Sequence, residues 1–366
     1  MLFGIRFGRS HKATDSIPPI RMSFNTLLSQ DHIINYFKSV IESNHLAHAY
    51  IFTGQEGVGK SLFTKEFIKA LTCLENENGH CDVCHNCSRI NGHNHPDVHW
   101  EVLDKKEKFI KIERVRNLQH TASLCPVELN SKIFVIQDAE RMNEEAANCL
   151  LKTIEEPTPN TLFILITNSL SRLKKTIVSR CQVIRFKSIH SQVIREYLMK
   201  KFNNDGEEIE WAAKYSCGSI GKACALLKED FFKENNNVIN KISRLNTEQN
   251  ISCAEEFVNS ALTPTRSLEE GRQVLRDILN CILRYYRDML IFKINKRENS
   301  DKARLPLFNA NRSDTIQLHS DTTSQETIVK IIYEILFSLE YLDANVNIHL
   351  LIESLFIRIS GSNNQR

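Results

Sequence analysis

The chain has 366 residues, enough for two or three domains at roughly 100–200 residues each. With 42% hydrophobic and 25% charged residues it can build packed cores, which excludes general disorder. A net charge of +3 and a pI near 8.2 do not by themselves mark a nucleic-acid binder, and no apolar run reaches the roughly 18 residues of a membrane span.

Residues 1–21 are basic, with Arg6, Arg9, Lys12 and Arg21, and have no apolar stretch of signal-peptide length. They read as a disordered tail ahead of Met22, with a targeting peptide as the alternative. From about Ser23 to Lys187, short apolar runs alternate with amphipathic stretches. The predicted strands are Ala49–Thr53, Val98–Val102, Ile133–Ile136 and Leu162–Thr167. Such nearly continuous apolar runs, separated by helices, predict an α/β domain with a buried parallel sheet. One helix carries Phe63, Phe67, Ala70 and Leu71. Another begins near Glu144 and stops at Pro157, which cannot continue it. A short helix ending near Val178 leads into a strand-like segment from Cys181 to Phe186. Beyond Lys187 the strand signals fade. Residues 188–240 read as a small helical domain and 245–366 as a second one. Within the latter, 296–325 is polar and irregular and reads as a surface loop. The apolar stripes Ile331, Ile332, Ile335, Leu336, Leu339 and Leu350, Leu351, Leu355, Phe356 belong to a terminal helix pair.

Gly54-Gln-Glu-Gly57-Val-Gly59-Lys60-Ser61 satisfies G-x-x-x-x-G-K-[ST], between a strand and a helix. Its glycines let backbone N–H groups close around phosphate oxygens, and the helix N-terminus favours negative charge. Lys60 is placed for the β- and γ-phosphates and Ser61 for Mg²⁺, so ATP/Mg²⁺ is the expected ligand. The chain has eleven cysteines, an odd count, and no signal sequence, which points to a reducing, cytoplasmic setting. Cys81-x-x-Cys84-x-x-Cys87, with Cys73 upstream, offers four thiolates, a complete tetrahedral set for structural Zn²⁺. A CxxC redox pair is the competing reading, and His80, His85, His93 and His95 stand near enough to substitute as ligands. The other seven cysteines read as small buried hydrophobes.

P-loop ATPases need a carboxylate at the end of a neighbouring strand to hold the magnesium shell. Here Ile133-Phe-Val-Ile ends on Gln137, a neutral amide, followed by Asp138. A one-residue shift would make Asp138 the metal carboxylate.

His48-Ala-Tyr-Ile-Phe-Thr-Gly, the P-loop, the cysteine cluster, Asn148-Cys-Leu-Leu-Lys-Thr-Ile-Glu-Glu-Pro157, Ser179-Arg180-Cys181 and Asn345-Val-Asn-Ile-His-Leu occur in this order. Together they resemble the clamp-loader subunits of bacterial DNA polymerase III, from about Ser23 to the end. The resemblance implies an AAA+ P-loop domain over 22–187 with a zinc module at 73–95, a helical lid at 188–240, and a helical collar for oligomerisation at 245–366. Counting back from Glu-Glu-Pro157 puts Gln137 at the family's Asp position and Asp138 at its Glu position. The hydrolysing gamma/tau type keeps both carboxylates. The delta-prime type often does not, so the resemblance favours a stator with little ATPase activity of its own over a gamma/tau-type motor. It further implies partners among gamma/tau and delta subunits, with the sliding clamp and primer-template DNA reached through the complex. Arg180 of Ser-Arg-Cys is then an arginine finger acting in trans; pairing with a carboxylate of its own domain is the structural alternative. Thr167, at a strand end, is a possible γ-phosphate sensor or a plain strand-end cap. Lys222 stands where a sensing arginine is often found and is given no role. Lys105-Lys-Glu-Lys108 reads as a solvated loop. An unrelated P-loop NTPase with a zinc ribbon is the remaining alternative.

Overall fold

The computed structural model describes residues 28–43, 45–75, 79–103, 107–228, 230–245, 249–297, 307–342, 344 and 346–363. The basic segment 1–21 and Lys105 lie outside them. Contacts divide the chain into two compact units. One holds residues up to Ile194 together with Cys217–Lys222; the other holds Arg195–Ser216 and Ala223 onward.

The first unit runs α1 (Asp31–Glu42), β1 (Ala49–Thr53), α2 (Lys60–Thr72), α3 (His85–Asn91), β2 (Val98–Glu101), α4 (Ile112–Ser123), β3 (Lys132–Ile136), α5 (Glu144–Glu155), β4 (Thr161–Thr167), α6 (Lys175–Val178) and β5 (Gln182–Arg185). The five strands form one parallel sheet in the order β2-β3-β4-β1-β5. Every residue of β1, β3 and β4 is buried, as expected of a sheet covered on both faces. Alternation along each strand sorts the side chains. Tyr50, Phe52, Ile164 and Ile166 join Phe37 of α1 and Phe63 and Phe67 of α2 in one core. Ala49, Ile51, Phe163 and Leu165 join Val115 and Leu118 of α4 and Ala146 and Leu150 of α5 in the other. The first core is aromatic, with Phe37 and Phe67 centroids 4.5 Å apart. Fully burying each such ring contributes about 1.5–3 kcal/mol. α5 begins where the Asn143 side chain accepts the Ala146 N–H, and it stops before Pro157. Because β1 lies inside the sheet, between β4 and β5, the loop that follows it opens beside the carboxyl ends of both neighbours, where ligands bind in open parallel sheets.

The remaining elements are helical: α7 (Ser191–Phe202), α8 (Glu207–Tyr215), α9 (Ile220–Lys228), α10 (Phe231–Ser243), α11 (Asn250–Ala261), α12 (Leu268–Arg297), α13 (Ser313–Thr322), α14 (Gln325–Tyr341) and α15 (Ile348–Asn363). In the second unit the 30-residue α12 packs against α10, α11, α13 and α14. The loop expected over 296–325 is corrected here, since residues 313–322 form α13. Its polar residues concealed this because several serve internally. Asp288 of α12 is fully buried and accepts the N–H groups of Phe308 (3.1 Å) and Asn309 (2.8 Å), which fixes the chain entering α13. Ile316 is the apolar anchor of α13, and His319 pairs with the Tyr285 hydroxyl at 3.0 Å.

Candidate nucleotide site and cysteine cluster

Gly59 caps α2 in a left-handed conformation (φ 102°), and Gly57 has φ 75°. A side chain at Gly57 is excluded twice. The backbone is disfavoured for L-residues, and an added Cβ would stand 2.3 Å from the Ser219 hydroxyl. The Gly57 carbonyl accepts the N–H of Gly221 at 3.0 Å, so the phosphate loop is tied to the Gly218–Gly221 segment. Gly57→Ala is therefore expected to cost about 1–2 kcal/mol from backbone strain alone. A urea midpoint and nucleotide affinity both unchanged from the parent would contradict that packing.

Lys60 is 5% exposed, and its ammonium donates to the carbonyls of Gly54 (2.6 Å) and Gln55 (2.8 Å) and to Asn168 Oδ1 (2.8 Å). Burial lowers its pKa, while the charges of Glu140, Glu56 and Asp138 act against that shift. The half-buried Ser61 follows it in the first turn of α2. Gln137 continues from β3, its N–H donating to the Glu101 carbonyl at 2.9 Å. Asp138 turns the chain with a left-handed φ of 51°, and burial, followed by repulsion from Glu140, raises its carboxyl pKa. Glu140 accepts the Asn168 N–H at 3.1 Å through Oε1, and its Oε2 is buried without a hydrogen-bond partner.

Thr167 lies at the β4 terminus with its hydroxyl turned into a local cap, donating to the Ser169 carbonyl and accepting the Ser169 N–H, both at 3.1 Å. The side chain on Lys60 is that of the next residue, Asn168. Neither Asn168 nor Glu140 was singled out from sequence. The available signal was a polar residue just past a buried strand, beside Thr167.

Cys73, Cys81, Cys84 and Cys87 place all four sulfurs within 4.8 Å of one another. Tetrahedral zinc with 2.3 Å bonds sets sulfurs about 3.8 Å apart, and Cys73 and Cys84 stand at 4.0 Å, far beyond a disulfide. The donor set fits Zn²⁺. Burial opposes ionisation of Cys84, yet the Leu74 and Cys87 N–H groups directed at its sulfur draw its pKa down to about 7. The nearby histidines have other surroundings. His80 lies between Glu66 (2.5 Å) and Asp82 (3.2 Å), His93 packs edge-on to Trp100, and His95 Nδ1 accepts the Asp97 N–H.

Arg180 follows α6 and is 41% exposed. Its Nε pairs with Glu155 at 2.8 Å, and one terminal nitrogen donates to the Thr176 carbonyl and the Ser179 hydroxyl, both at 3.2 Å.

Residues 29–190 match the family described as DNA polymerase III, delta subunit. The chain is 29% identical over 330 residues to DNA polymerase III subunit delta′ of Bacillus subtilis, covering 90% of this chain and 96% of that one. This chain is thus similar to a DNA polymerase III subunit along most of its length. Delta′ of Haemophilus influenzae is 32% identical over 192 residues, 52% of this chain and 58% of that one. The tau subunit of B. subtilis is 26% identical over 292 residues, 74% of this chain but half of its own length. The alignment with the B. subtilis delta′ chain runs almost end to end. Among the described residues no helix is long and apolar enough to cross a membrane.

Proposed function

We propose that this subunit is a delta′-type stator. It assembles in the cytoplasm with gamma/tau and delta subunits, helps them load the sliding clamp on primer-template DNA, and lends Arg180 to ATP held by a neighbour. Gln137 carries the choice of stator over motor, since its amide brings no charge to the end of β3, where a motor subunit needs a metal carboxylate. The near full-length likeness to a delta′ subunit supports the same choice. On this reading residues 22–187 are the AAA+ domain, 188–240 the lid and 245–366 the collar. Cys73, Cys81, Cys84 and Cys87 hold structural Zn²⁺. Gly54, Gly57, Gly59, Lys60 and Ser61 bind ATP with Mg²⁺ but do not turn it over, and Thr167 acts as a cap of the phosphate-proximal turn.

The test joins assembly with turnover. Mixed with purified gamma/tau and delta subunits, the chain is expected to co-elute as one complex. Alone, it should bind nucleotide and release no phosphate above background. Lys60→Ala should weaken that binding by about 10- to 100-fold, the worth of one charge-assisted hydrogen bond. Steady-state hydrolysis by the isolated chain that Lys60→Ala abolishes would make it a gamma/tau-type motor instead.

A further inference from the structure

We propose that Glu140 supplies the carboxylate that Gln137 lacks, facing the magnesium of a nucleotide bound at the phosphate loop. The inference rests on the nucleotide-binding reading above. Glu140 lies four residues past the end of β3, beyond the position at which a P-loop enzyme's metal carboxylate is sought. The left-handed turn at Asp138 (φ 51°) and the short helical turn Ala139–Arg141 place it beside the β4 terminus. There one carboxylate oxygen is fixed by the Asn168 N–H at 3.1 Å, and the Asn168 side chain in turn accepts from Lys60 at 2.8 Å. Glu140 is thus held through one residue to the lysine that meets the phosphates. Its second oxygen is buried and unpartnered, a costly arrangement for an anion that gains a partner when a cation is present.

The experiment measures ADP affinity by titration calorimetry with Mg²⁺ and with EDTA, together with Mn²⁺ bound per nucleotide complex by electron paramagnetic resonance. In the parent chain the divalent cation should tighten binding. Glu140→Gln keeps an acceptor for the Asn168 N–H and should fold normally. It should weaken cation binding by about 10- to 100-fold, as loss of a group that supports a metal's ligands does, while binding in EDTA holds or improves. Asp138→Asn should retain the cation effect. A Glu140→Gln chain that keeps the full cation effect overturns the proposal and leaves nucleotide binding intact, and loss of the effect in Asp138→Asn alone assigns the metal to Asp138. If the parent binds no ADP under either condition, the nucleotide reading itself fails and the proposal falls with it.

Discussion

Chelating the metal, or replacing Cys84 with Ser, is expected to unfold the module around α3 while the parallel sheet stays intact. The module has almost no core of its own. Its buried cluster is Cys73, Cys84 and Cys87 with Cys81 against it, and its apolar residues Leu74 and Val83 are 72% and 77% exposed. α3 has seven residues, well short of the ~12–15 an isolated helix needs. It starts at Cys84, whose sulfur accepts the Cys87 N–H at 3.5 Å, so its N-cap is itself a proposed ligand. What else ties the module down is one apolar anchor, Ile90 of α3, fully buried in the aromatic core, and polar contacts: Asn86 Nδ2 on the Thr72 carbonyl at 2.8 Å, and Lys69 and Glu66 of α2 facing Asp82 and His80. Structural zinc contributes about 10–16 kcal/mol of apparent binding free energy at neutral pH, far more than those contacts supply. Elemental analysis of protein purified under reducing conditions should find about one zinc per chain. After chelation, hydrogen exchange should rise over residues 79–95, while the amides of β1, β3 and β4 stay protected. Metal-free protein with full protection over the module would refute a zinc site.

The sheet was legible because a strand buried on both faces leaves an uninterrupted apolar run. Ala49–Thr53 matched residue for residue, and Leu162–Thr167 gained only Thr161. The P-loop and the cysteines were legible because their chemistry depends on spacing along the chain. Glu140 and Asn168 were not. Their relation to Lys60 comes from a left-handed residue at position 138 and from the turn after β4, and neither follows from a strand pattern. α13 was missed for a different reason. It buries little apolar surface and is held by polar pairs such as Tyr285 with His319, and by Asp288 fixing the backbone that leads into it, so its composition reads as loop. Thr167 shows the reverse case: its place at the strand end was read correctly, and its hydroxyl is engaged in the local turn.

Replacing Arg180 with Ala is expected to leave this subunit folded and assembled, yet to lower the ATPase rate of the reconstituted loader steeply. In this chain the guanidinium is paired with Glu155, and both side chains are more than 40% exposed. An exposed pair of this kind is worth about 0–1 kcal/mol, so it neither anchors the domain nor holds the arginine back from a stronger partner. A γ-phosphate at a subunit boundary is such a partner. It takes a permanent charge and a two-pronged donor, which guanidinium offers and ammonium does not. An arginine supplied in trans contributes on the order of 10³–10⁵ to the rate of phosphoryl transfer. Where several sites fire in one complex, the loss falls on the site that this subunit completes. Arg180→Lys should recover little of it. Glu155→Gln frees the guanidinium and should keep the rate near the parent's, with thermal stability changed by about 1 kcal/mol or less. The measurement is DNA- and clamp-stimulated ATP turnover by complexes of matched composition, checked by size-exclusion chromatography. Equal rates for parent and Arg180→Ala at equal assembly would confine Arg180 to its pairing with Glu155.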